Sequence, residues 1–180
     1  MSIIKIHDKY FKPYLSSDKI DKAITKIADE INKDLEGQTP LFLVILNGAF
    51  MFASDLLKKI EISCEISFVK LASYQGTSTT EKVRQLIGFD EEIAGRTIII
   101  VEDIVDSGIT MESVLGQLDK LGAADVRIAT MLFKPKAFRK SYDVHYIGLE
   151  IPNDFIVGYG LDYDGQGRNL KDIYKITENK

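Results

Sequence analysis

The chain has one cysteine, no tryptophan, two histidines and four prolines in 180 residues. One cysteine excludes an internal disulfide, and Cys64, set in the apolar stretch Ile62 to Leu71, is expected as a buried thiol in a reducing compartment. His7 and His145 have no partners at metal-ligand spacing and read as ordinary residues. No apolar run approaches the roughly 18 residues a membrane span needs, and the opening Met-Ser-Ile-Ile-Lys-Ile-His lacks a secretory core. The expectation is a soluble, cytoplasmic protein without a membrane partner. Basic residues number 23 against 27 acidic ones, for a net charge of −4, and no Lys or Arg run forms a stripe. A nucleic-acid surface is therefore disfavoured. No Gly-x-Gly-x-x-Gly follows a strand, since Gly165-Gln166-Gly167 leads into Arg168-Asn169-Leu170, and there is no Walker A lysine, so dinucleotide and P-loop chemistry are excluded.

What is present is ordinary globular material, 45% hydrophobic and 28% charged, at single-domain length. Ser17 can cap a helix from Asp18 to about Leu35, with Ile20, Ile24, Ile27, Ile31 and Leu35 on one stripe. Gly37 and Pro40 end it. Leu41 to Leu46 reads as a fully buried strand, closed by the turn Asn47-Gly48-Ala49 before a helix from Phe50 to Lys59. A strand over Ile62 to Leu71, a polar mobile loop from Ser73 to Thr80, a short strand at Val83 to Ile87 and a turn at Glu91 to Gly95 follow. Next come the strand Ile98 to Val101, a helix from Met111 to Leu121 closed by Gly122, and strands at Val126 to Phe133, Val144 to Leu149 and Phe155 to Tyr159. This alternation predicts an α/β fold with a mostly parallel sheet flanked by helices. We expect one domain over residues 1–180, with a core of about 16–135 and a small hood made by the N-terminal segment and about 136–180.

The stretch Ile98-Ile99-Ile100-Val101-Glu102-Asp103-Ile104-Val105-Asp106-Ser107-Gly108-Ile109-Thr110 organises the rest. Its four β-branched residues read as a strand buried on both faces that stops at two acids. In open α/β sheets ligands bind at that end of the strands. The following glycine turn opens a helix, which presents free N–H groups suited to a phosphate. Yet Glu102, Asp103 and Asp106 surround it, and no Lys or Arg stands between positions 97 and 119. Carboxylates beside a phosphate turn can take hydrogen bonds from a ribose diol, so the implied ligand is a sugar phosphate.

Val-Glu-Asp-Ile-Val-Asp-Ser-Gly-Ile-Thr resembles the phosphoribosyl-diphosphate signature of type I phosphoribosyltransferases. Leu46-Asn47-Gly48, Ser73-Tyr74, Lys134, Phe155 to Tyr159, Leu161-Asp162-Tyr163 and Arg168 narrow it, being similar to segments of the hypoxanthine-guanine phosphoribosyltransferases. The resemblance covers about residues 40–170. It implies the type I fold with its hood and transfer of a phosphoribosyl group from phosphoribosyl diphosphate to a purine base. It also implies Mg²⁺ as cofactor and a homodimer or homotetramer. By residue, it implies that Glu102, Asp103, Asp106, Ser107, Gly108, Ile109 and Thr110 hold the ribose and 5′-phosphate, and that Asp106 takes a proton from the purine N7. Lys134, Phe155 and Ile156 are implied at the base. Leu46, Asn47, Gly48, Ser73, Tyr74 and Arg168 are implied at the diphosphate, with a non-proline cis peptide in the first of these turns and a closing lid from Ser73-Tyr74 onward. Glu102, Asp103 and Asp162 are implied near metal. The chain departs from many relatives at Asn47 and Ile109, where they carry basic residues, so the backbone rather than these side chains is expected to serve.

Two other readings share features. A signalling receiver domain also has acids at a strand end, but places the pair near its start rather than mid-chain. An RNA-binding attenuator of the same fold would need a basic face, which the charge distribution argues against.

Overall fold

The computed structural model describes residues 2–73, 83–87 and 92–178. Its elements run β1 (Ile4–Ile6), β2 (Lys9–Leu15), α1 (Ser17–Asp34), β3 (Leu41–Leu46), α2 (Phe50–Leu57), β4 (Glu65–Ser73), β5 (Val83–Ile87), β6 (Thr97–Val105), α3 (Ile109–Lys120), β7 (Asp125–Phe133), β8 (Tyr146–Glu150), β9 (Ile156–Val157) and β10 (Ile173–Thr177). Tyr74 to Thr80, most of the expected lid, lie outside the described residues.

Six strands form one sheet in the order β5-β4-β3-β6-β7-β8. Every pairing is parallel except that of the edge strand β5, which runs antiparallel to β4. From β3 the chain steps outward to β4, and from β6 it steps the other way to β7 and β8. The order therefore reverses between β3 and β6, and beyond the carboxyl ends of strands at such a reversal is where open α/β sheets bind ligands.

Apolar side chains fill both faces. Phe42, Val44, Ile99 and Val101 point into a core shared with α1 and α2, whereas Leu41, Leu43, Ile98 and Ile100 point into one shared with α3. The α1 stripe is sealed: Ile20, Ile24, Ile27, Ile31 and Leu35 are all buried, each contributing about 1.5–3 kcal/mol. A second, antiparallel sheet of order β1-β2-β10-β9 forms the hood around its own small core of Ile6, Phe11, Val157 and Tyr174.

Several expectations shift. The N-cap of α1 is Ser16, whose hydroxyl accepts from the Lys19 N–H; Ser17 instead donates its N–H to Asp172 of the hood at 2.6 Å. Strand β6 does not stop at the acids but runs through Glu102 and Asp103 to Val105, because β7 keeps pairing with it as far as Phe133. Strand β8 joins the central sheet beside β7, so the hood's later part begins after Glu150 rather than near 136. Cys64 precedes β4 and is half-buried, with burial raising its thiol pKa.

Candidate functional site

Where β6 meets β3, two carboxyl groups and a glycine interlock. Asp103 rests directly against Gly48: a Cβ there would collide with Asp103 Oδ2 and lie 2.5 Å from its Cγ. The other Asp103 oxygen, Oδ1, accepts from the Ile104 N–H at 2.8 Å. Gly48 follows a cis peptide bond between Leu46 and Asn47, as the resemblance implies. Glu102, next along, is partly buried, and its Oε2 is fully shielded with no hydrogen-bond partner among the described residues. Burial, then the adjacent Asp103 charge, lifts the Glu102 pKa well above its ordinary 4.5. Burial also raises Asp103, against the opposing effects of Glu102, the Ile104 N–H and the charge of Arg168.

A shielded oxygen without a donor is an expensive thing to keep. It suits a ligand that brings one, either a sugar hydroxyl or a hard divalent cation that retains some of its waters. Glu102 and Asp103 form such an oxygen pair, although no group of three or more His, Cys, Asp or Glu arranged for a metal occurs among the described residues. The strain has a measurable consequence. A carboxyl raised in the folded state stabilises below its ordinary pKa of 4.5 and loses that contribution as pH rises through the folded value. Glu102→Gln should therefore raise the melting temperature of the ligand-free protein at pH 7 by about 2–4 °C for each kcal/mol relieved, with the gain shrinking toward pH 4. A lower melting temperature at pH 7 would show that the carboxylate is already satisfied.

The residues after β6 form the turn expected to hold phosphate. Gly108 adopts φ +83° and is the N-cap of α3, which begins two residues earlier than expected. Glu102, Ile104 to Thr110 and Met111 line a cavity of about 130 Å³ at that helix start. Ser107 Oγ lies 3.5 Å from the Ile109 N–H. Behind the turn, Tyr142 donates its hydroxyl to the Gly108 carbonyl at 2.7 Å.

The remaining residues arrive from β4, β7 and the hood. Lys134, just past β7, has its Nζ 2.8 Å from Asp106 Oδ2, so the residues expected to read the 6-oxo group and N7 hold each other. Arg168 donates to the Gly160 carbonyl at 2.7 Å and pairs with Asp162 at 2.6 Å. Asp162 also accepts from the Gly165 N–H at 2.8 Å, so each of its oxygens has a protein partner. Phe155 is 45% exposed, with Tyr163 perpendicular to it at 5.8 Å and Phe11 behind, which leaves ring surface free for stacking. Ile156 is buried in β9. Ser73 ends β4 at the same sheet edge, whereas Tyr74 is outside the described residues.

Residue patterns did not reveal Gly160, whose Cα packs so closely on the Gly48 carbonyl that a Cβ would overlap it. Nor did they give the role of Tyr159, whose hydroxyl ties that hood turn to Asp55 of α2 at 2.7 Å. The one available signal was the spacing of Gly158 and Gly160, at φ +103° and +95°.

The chain is similar to proteins of known family and fold. Residues 12–164 match the phosphoribosyl transferase domain model. The hypoxanthine-guanine phosphoribosyltransferase of Mycobacterium tuberculosis is 37% identical over 166 residues, covering 88% of this chain and 82% of the relative. That of Streptococcus pneumoniae is 35% identical over 168 residues, covering 93% of each. The crystal structure of a hypoxanthine phosphoribosyltransferase from Staphylococcus aureus superposes with a TM-score of 0.87 at 32% identity, covering 92% of this chain and 91% of that one.

Proposed function

Because the chain belongs to the phosphoribosyltransferase family, within its hypoxanthine-guanine branch, we propose that it salvages hypoxanthine, guanine or both, joining the base to phosphoribosyl diphosphate and releasing pyrophosphate. The observation that carries this reading is the Glu102–Asp103 pair. Its carboxyls lie shielded where β3 and β6 diverge, beside the turn that opens α3.

In this reading the ribose hydroxyls donate to Glu102 and Asp103, which gives the shielded Oε2 its missing partner. The 5′-phosphate sits on the N–H groups of residues 106–110 with the hydroxyls of Ser107 and Thr110. Asn47, Gly48 and Arg168 face the diphosphate, Gly48 through its backbone. The C1–oxygen bond breaks as the purine N9 attacks C1, and the sugar passes through an oxocarbenium-like state as in glycoside cleavage. The N7 proton passes to Asp106, and pyrophosphate leaves with the electrons of the broken bond.

Base entry has to part Lys134 from Asp106. Each then gains a partner on the purine, the ammonium at O6 and the carboxylate at N7. An exocyclic 6-amino group offers no acceptor to an ammonium, which selects against adenine. Phe155 stacks on the ring, and Ile156 supplies backbone groups to its edge.

Mg²⁺ fits the site through Glu102 and Asp103, and when bound would neutralise diphosphate charge. Asp162 would have to share its oxygens between the metal and its present partners Arg168 and Gly165.

The test is nucleotide formation from phosphoribosyl diphosphate with hypoxanthine, guanine, xanthine, adenine and uracil, with and without Mg²⁺ and chelator. Hypoxanthine and guanine should be the best acceptors, and chelation should abolish turnover. Adenine as the best acceptor would overturn the role of Lys134, and full activity in chelator would remove the metal from the reading.

A further inference from the structure

Lys134-Pro135 leads from β7 into a segment that folds onto the outside of the α3 turn, before the chain re-enters the sheet as β8. Three of its side chains converge on Gly108: a Cβ at that glycine would lie 2.5 Å from the Tyr142 hydroxyl, 2.8 Å from Phe138 Cε2 and 2.9 Å from Lys140 Cγ. The Tyr142 ring is seated edge-to-face on Phe138 at 5.2 Å, and Phe138 in turn on Phe133 of β7 at 5.3 Å. Lys140 is pinned to α3 through Glu112 at 2.7 Å. The phenol is thus held from several sides.

What that phenol grips matters for geometry. The Gly108 carbonyl accepts from Tyr142 at 2.7 Å and from the Glu112 N–H at 3.0 Å. A trans peptide unit is planar, so the Gly108 C=O and the Ile109 N–H point in opposite directions within one rigid plane. Holding the carbonyl fixes the N–H, whose partner in the ligand-free protein is Ser107 Oγ at a long 3.5 Å, a contact that a phosphate oxygen in the cavity of about 130 Å³ lined by both residues can replace. Glycine at φ +83° is the residue least able to hold its own peptide planes still, because no Cβ restricts its rotation. The side chain of Ile109 is uncharged, so at this position the chain has only the backbone donor to offer a phosphate. An outside brace on that donor supplies what neither residue provides.

We propose that Tyr142 is a positioning residue for the 5′-phosphate: its hydroxyl, bonded to the Gly108 carbonyl, pre-aims the Ile109 N–H at the phosphate. This rests on the sugar-phosphate reading of the turn, but not on which base is used. The brace acts before the ligand arrives, so its effect is on phosphate affinity and not on the chemical step.

Tyr142→Phe deletes only the hydroxyl and keeps the ring on Phe138. The experiment is calorimetric binding of a nucleoside 5′-monophosphate, GMP, and of guanosine to the wild-type and Y142F proteins, beside melting temperatures and steady-state kinetics. GMP affinity should fall about three- to tenfold, the range for one hydrogen bond, while guanosine affinity holds. KM for phosphoribosyl diphosphate should rise by a similar factor, with less than a twofold change in kcat or in KM for the base. Phe138→Leu, which loosens the ring seat but keeps the hydroxyl, should show a smaller loss of the same kind. Wild-type protein that binds guanosine as tightly as GMP would refute the phosphate turn itself. A wild-type preference for GMP that survives intact in Y142F would overturn the brace alone, as would equal proportional losses for both ligands.

Discussion

Asp106→Asn should lower kcat by about a hundred- to ten-thousandfold, the usual worth of a positioned general base, while KM for phosphoribosyl diphosphate moves little. Asparagine keeps an oxygen to accept from Lys134, whose ammonium lies 2.8 Å away in the native protein, so the loop should keep its shape. It cannot take a proton at pH 7. The native pair is also cheap to lose in stability terms, since the Asp106 side chain is 51% exposed and such pairs contribute about 0–1 kcal/mol. A large kinetic effect with a small change in melting temperature is therefore expected. Single-turnover kinetics with saturating substrates checks it. Matching losses in kcat and in sugar-phosphate affinity would instead make Asp106 a structural member of the turn.

Gly48→Ala should be the more damaging of the two to the site as a whole. Here the difficulty is space: the new methyl would occupy the position of Asp103 Oδ2. Asp103 cannot simply swing away, because its other oxygen is bonded to the Ile104 N–H and the Glu102 carboxyl lies beside it. On the opposite side the Gly48 carbonyl is already pressed by Gly160. Either the carboxylate moves by about an ångström or the β3 turn does, and a displacement of that size costs on the order of a hundredfold in rate. Overpacking of this kind adds about 1–3 kcal/mol of destabilisation, so the melting temperature should fall as well. The pair Gly48→Ala with Asp103→Ala separates the causes: the second change should restore most of the stability and none of the activity. Failure to restore stability would place the clash elsewhere, against Gly160 or within the turn.

How much of this could be seen beforehand follows from the range of each interaction. Strands β3 and β6, the helices between strands and the glycine turns after β3 and β6 are written in local pattern, and the acids 102, 103 and 106 stand within five residues of one another. All of them were legible in outline, although the end of β6 and the start of α3 were not. The Ser16 cap was a choice between adjacent serines that only the Ser17–Asp172 bond decides, and those residues are 155 apart in sequence. That β8 belongs to the central sheet depends on pairing with β7 across a segment whose composition resembles hood material. The same distance hid Tyr142 behind Gly108 and Gly160 against Gly48, contacts in which an ordinary tyrosine and one glycine of thirteen acquire meaning only from the fold. Arg168 and Asp162 were picked for separate ligands and are found bonded to each other. Family pattern identifies which residues gather, but not how they satisfy one another when no ligand is there.

The position of β10 between β2 and β9 sets a schedule for biosynthesis. A ribosome adds roughly 5–20 residues per second, so β2 emerges many seconds before the strand that completes its ladder. Throughout that interval one edge of β2 is open to any extended peptide nearby. The Gly160 turn and Arg168 also emerge late, so a nascent chain carries its carboxylates long before it carries the hood residues that pack around them. Binding competence should therefore appear abruptly in time, with the closing of that ladder, rather than grow with length.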